Sequence, residues 1–152
     1  MAKGIFPTLS ENHRRSIRVT LVFLDEMLCD FEEIANGRER KSVLFVERNA
    51  LSDEQRRAIL EKIRKMRPML RTLRADLGLG VETHDLLREV FWRTSMLWEH
   101  IVDTRSRGLK RYGALPEGLP EYLDPKIKEI IRDLNEMTNI VRTQKDGKPP
   151  SS

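Results

Sequence analysis

Four stretches of this chain repeat apolar residues at steps of three and four, and that rhythm restricts the fold more than any other feature. Ile17, Leu21, Leu24, Leu28 and Phe31 step by 4, 3, 4 and 3. Ile59, Ile63, Met66, Leu70, Leu73 and Leu77 step by 4, 3, 4, 3 and 4. An α-helix closes a turn in about 3.6 residues, so both sets fall on single stripes. Leu87, Val90, Phe91, Leu97, Trp98, Ile101 and Val102 form a third set, and Ile127, Ile130, Ile131, Leu134, Met137 and Val141 a fourth. None of the four alternates by two as a half-buried strand does. The expected fold is therefore all-α, a four-helix bundle with two long ordered connecting straps.

End signals set the expected boundaries. Thr8 and Glu11 have capping-box spacing, and Gly37 suits a helix terminus, which predicts a first helix over Leu9–Asn36. Ser52 opens a second helix with Gln55 at the box position, ending at Leu77 before Gly78 and Gly80. Pro68 inside it removes one backbone donor, which predicts a kink or, as the alternative, two shorter helices; the continuous stripe favours the kink. A third helix is expected from Thr83 to about Arg107, where Gly108 stops it. A fourth is expected from Asp124, as N-cap to Pro125, to about Thr143. Residues 145–152 read as a disordered tail, leaving one helical domain over 1–144.

The two straps, Arg38–Leu51 and Gly108–Leu123, are long for a compact helical protein. The first contains Val43-Leu44-Phe45-Val46, too apolar to be left in water, so a short helix or a packed extended segment is expected there. Leu24, Leu28, Met66, Leu70, Leu97, Ile101, Leu134 and Met137 are expected to share one core. A Leu70→Ala change would then cost about 2–5 kcal/mol.

Composition narrows the classes of function. Hydrophobic residues make up 39% and charged residues 34% of the 152 positions, a globular balance with a heavily charged surface. The lone cysteine, Cys29, excludes an internal disulfide and reads as an inert packed thiol. No apolar run approaches the roughly 20 residues of a membrane span, and the opening residues lack the apolar core of a signal peptide. A cytoplasmic protein is the expectation. The formal charge of +4 is mild, and its excess lies ahead of Gly78, with 16 basic and 12 acidic residues there.

Reaction chemistry is hard to place on this chain. There is no Glu-x-x-His, no His-x-x-x-His, no Gly-x-Ser-x-Gly and no phosphate-binding loop. Gly78-Leu79-Gly80 follows a helix rather than a strand, and reads as a turn. No metal ligand, cofactor or catalytic residue is assigned. Arg93 and His100 are seven apart and so share a helix face, about 10 Å from each other. That spacing resembles the Arg-x(4–6)-His signature of HEPN-type helical ribonucleases, with Thr94 where those enzymes carry another polar residue. The resemblance implies an RNA-cleaving pair working at a dimer contact, and it rests on these two residues.

Two surfaces are better candidates. On the second helix Arg57, Arg64 and Arg71 recur every seven residues opposite the apolar stripe, with Arg67 and Arg74 beside them. They form a candidate site for nucleic acid or another polyanion, although Asp53–Arg57 and Glu61–Lys65 are also ordinary i,i+4 pairs. On the third helix Trp92 and Met96 stray from the apolar stripe beside Glu89, and on the first helix Val19 and Val22 do the same. A second apolar strip needs a second cover, either the chain's own straps or another subunit. Trp92, Met96, Glu89, Val19 and Val22 are therefore the candidate interface. The expected function is a non-enzymatic, self-associating protein–protein interaction module without a cofactor. Polyanion binding is the alternative, and a HEPN-like ribonuclease the third reading.

Overall fold

The computed structural model describes residues 4–145. Among them the chain is helical, without a strand: α1 (Glu11–Ala35), α2 (Asp53–Leu77), α3 (Leu86–Val102), α4 (Ser106–Leu109), a 3-10 turn (Lys110–Tyr112) and α5 (Leu119–Lys145). The all-α expectation holds, with five α-helices in place of four among the described residues. Residues 146–152, most of the tail expected to be disordered, lie outside the described residues. Contacts gather into two compact units, Met1–Glu82 and Thr83–Ser152.

In the first unit α1 packs on α2. Its cap is Ser10 rather than Thr8: the Ser10 hydroxyl accepts from the His13 amide at 3.1 Å. α2 opens with the expected box, in which the Gln55 amide donates to Ser52 Oγ and the Ser52 amide to Gln55 Oε1. The helix runs through Pro68 as one element and ends on Gly78, whose φ of 62° lets the chain turn left-handed where a side chain would strain it. Leu28, Ala35, Ile63 and Leu79 are buried along the seam, with Leu28 and Ile63 almost fully so. Leu24, Met66 and Leu70 are only half-buried.

A buried arginine holds the open end of this hairpin. Arg14 Nε donates to the Leu77 carbonyl (3.0 Å), Nη1 to the Leu9 carbonyl (2.6 Å) and Glu11 (3.1 Å), and Nη2 to the Phe6 carbonyl (3.2 Å). One cation thereby satisfies a carbonyl in the last turn of α2, where the helix dipole favours it, and ties down the segment before α1. The Ile5 amide adds a 2.7 Å bond to the Asp76 carbonyl. Neighbouring Gly4 lies so close that a Cβ there would come within 2.2 Å of the same oxygen.

The strap over 38–51 is neither a helix nor a packed segment. Lys41 and Val46 form an isolated antiparallel bridge, closed by Ser42 N–H to Phe45 O and Glu47 N–H to Arg40 O. Val43 and Leu44 stand at the tip, each 94% exposed, which overturns the expectation that they are covered. The base is tied down by contrast. Glu47 pairs with Arg38 and Arg40, and Asn49 donates to the Ile34 and Arg38 carbonyls.

In the second unit α3 packs on α5. Thr94 is buried in the seam; its hydroxyl bonds back to Val90 O at 2.7 Å and accepts from Thr138 at 3.2 Å. Ile127 is the best-covered apolar side chain of α5. Two expectations fail here. The third helix stops at Val102, and α4 with the 3-10 turn follows as separate short elements. Asp124 caps α4 instead of starting its own helix: its carboxylate accepts from the Ser106 amide (2.8 Å) and the Ser106 hydroxyl (2.6 Å). α5 begins earlier, at Leu119, and carries Pro125 inside it. Leu97 and Met137, expected in the core, are each 46% exposed.

Candidate functional site

α3 has one continuous apolar half, packed in part on α5, and a charged half in which Trp92 and Met96 are set. Phe91, Thr94, Ser95, Ile101 and Val102 are at least half-covered, while Leu86, Trp92, Met96, Leu97 and Trp98 are exposed. Trp92 and Met96, at 58% and 64% exposure, share one side of the helix with Glu89. Helical spacing puts Asp85, Glu99 and Asp103 on that side as well, so its apolar centre has an acidic rim. Glu89 accepts from Arg93 at 2.7 Å, and Asp103 lies 3.6 Å from Arg111. Beside Trp92 is a cleft of about 390 Å³ floored by Leu87, Phe91 and Val141. The Phe91 ring meets the indole edge-to-face at 6.3 Å, and the Arg142 guanidinium stands over Phe91 at 5.9 Å.

Of the five candidate interface residues, Trp92, Met96 and Glu89 thus lie together. Val19 and Val22 belong to α1, in the first unit. Val19 is exposed, whereas Val22 is half-buried in the wall of a cleft between α1 and α2.

The candidate arginine stripe divides. Arg57, Arg64 and Arg71 are exposed along α2 as expected. Arg67 turns inward and forms a short ion pair with Glu32 of α1, which raises the arginine pKa further. Arg71 and Arg74 join Arg67 in lining the α1–α2 cleft. Arg93 and His100 are both exposed on α3, and Arg93 is engaged with Glu89. Thr94, between them in the resemblance to HEPN-type enzymes, is a seam residue bonded to Thr138 and faces away from solvent. Cys29 is exposed, not packed.

Three features escaped the sequence reading: the Arg14 clamp, the exposed Val43–Leu44 tip, and the part Arg18 plays in the α1–α2 cleft. Arg14 and Arg18 are four apart and share a side of α1, a spacing that marks the two as neighbours but not as buried. Among the described residues no group of three or more His, Cys, Asp or Glu is placed to hold a metal ion, and no helix is long and apolar enough to cross a membrane. No protein-family description, curated protein or solved structure matches the chain.

Proposed function

We propose that the protein is a non-enzymatic helical interaction module that self-associates through the Trp92/Met96 side of α3. The observation that carries this reading is an indole and a thioether more than half in water on the charged side of an amphipathic helix. Large contiguous apolar patches rimmed by polar groups mark association sites, and Trp and Met are frequent anchors within them. Covering what remains exposed of Trp92 and Met96 contributes about 2–3 kcal/mol. The acidic rim calls for a covering surface with basic edges. A second copy offers one in the exposed arginines of α2. In this reading the helices complete their bundle on association, in a cytoplasmic setting.

Light scattering coupled to size exclusion tests it. The wild type should show a mass above the 17.8 kDa monomer that grows with loading concentration. Trp92→Glu should elute as a folded monomer, because it adds a fifth acidic side chain to that face. A wild type that stays monomeric at high concentration removes the reading. The second reading, polyanion binding, is favoured by Arg57, Arg64 and Arg71 standing exposed on one side of α2, and none of the three has an ion pair among the described residues.

A further inference from the structure

We propose that the cleft between α1 and α2 in the first unit binds a small organic phosphate. The cleft has a volume of about 320 Å³ and presents Arg18 from α1 opposite Arg67, Arg71 and Arg74 from α2. The three α2 arginines are at i, i+4 and i+7, so one helix side carries them all toward the same space. Arg67 is neutralised by Glu32, whereas Arg18, Arg71 and Arg74 have no ion pair among the described residues. Asp25 is the one carboxylate in the lining. Three guanidiniums against one carboxylate leave an excess of two positive charges, which a phosphate dianion matches.

Arg18 gives the independent sign of a missing partner. Its Nε–H is shut off from solvent and has no hydrogen-bond acceptor. Buried donors of that kind are almost always paired, and a guanidinium donor is more costly to leave unpaired than a neutral one. A phosphate oxygen supplies the acceptor once the half-buried Arg18 side chain rotates to bring Nε–H onto the cleft, and the planar fork of arginine fits two such oxygens at once. Leu21, Val22, Leu70 and Leu79 make the remaining wall apolar. A bare inorganic anion leaves that wall wet, whereas a phosphate ester covers it with its organic body. A cleft of about 320 Å³ lined from both helices has the size of a small-molecule site, which favours a small ester over a nucleic-acid backbone.

The test is isothermal titration of the full chain with phenyl phosphate, inorganic phosphate and a single-stranded oligonucleotide, with the arginine Nε–H resonances followed in parallel. Phenyl phosphate should bind one per chain, at least tenfold tighter than inorganic phosphate, and should shift the Arg18 Nε–H signal. Arg18→Gln with Arg71→Gln should weaken it by at least tenfold while the circular dichroism spectrum is unchanged. Lys62→Gln with Lys65→Gln removes the same charge from α2 outside the cleft and should leave binding as it was. If the double arginine variant unfolds, the Arg18 Nε–H shift in the wild type decides alone. Absence of phenyl phosphate binding, an unmoved Arg18 signal, equal weakening by the lysine variant, or binding of the oligonucleotide alone each overturns the proposal.

Discussion

Ile63 is 1% exposed in the α1–α2 seam, and shortening it measures how far that seam supports the fold. Ile63→Ala removes three carbons from a dry site. At about 0.8 kcal/mol for each buried methyl or methylene group the transfer loss is about 2.4 kcal/mol, and incomplete collapse around the space adds to it. We expect a total of about 3–4 kcal/mol. Leu70 offers the comparison. It is half-buried and lines the open cleft, so Leu70→Ala leaves space that water can fill, and about 1–1.5 kcal/mol is expected in place of the larger loss its position on the stripe implies. Urea unfolding followed by circular dichroism gives both values, with the difference carried by the midpoint at constant slope. Both tryptophans lie in α3, so amide exchange within α1 and α2, not fluorescence, reports the first unit directly. Equal losses for the two variants, or a loss below about 1 kcal/mol for Ile63→Ala, would refute the reasoning.

Arg14→Leu strips a part-buried set of carbonyls of their shared donor and should cost about 2–3 kcal/mol, with faster amide exchange at Ile5 and at the end of α2; unchanged exchange there contradicts the clamp. Asp124 is held below the usual carboxylate range by the Ser106 hydroxyl and amide. Its folded-state pKa is depressed, so its contribution is complete above the ordinary aspartate value and fades as pH falls through the lower folded value, below about pH 4. The Ser106 amide shift should titrate in that acid window, and a midpoint at or above the ordinary aspartate value counts against the tie. Replacing Arg57, Arg64 and Arg71 together by Gln should flatten the salt dependence of any polyanion binding by up to about three phosphate equivalents. No binding by the wild type at low salt ends that reading.

Helix-forming segments were legible because their signals are local. Ser52 and Gln55 cap α2, and Gly78 ends it, as read from the residues alone. At α1 the sequence has two hydroxyls at usable spacing, Thr8 and Ser10, and the structure uses the second. The fourth helix went astray for a similar reason. Leu119-Pro120-Glu121 and Asp124-Pro125 both resemble helix starts, and the first is the true one, which frees the Asp124 carboxylate for the Ser106 amide 18 residues earlier. Such a long-range cap leaves no periodic trace. Side-chain burial was less legible still. A stripe shows which residues share a side but not how well the facing helix covers them, so Leu28 is buried while Leu97 and Met137 on equally regular stripes are nearly half exposed. In the candidate site, the Trp92–Met96 strip was legible because two large apolar residues broke the pattern. The α1–α2 cleft was not, because it depends on Arg18 of one helix facing Arg71 and Arg74 of another.

Self-association through α3 requires that Trp92 leave water when the protein associates. In a Trp98→Phe variant Trp92 is the single indole, and its emission can be followed across a concentration series alongside mass from sedimentation. The predicted result is a water-like emission maximum at low concentration that moves to shorter wavelength as mass rises, with the same midpoint for both. An emission maximum that stays water-like while mass rises would place association on another surface, and a mass that never exceeds the monomer would contradict self-association itself.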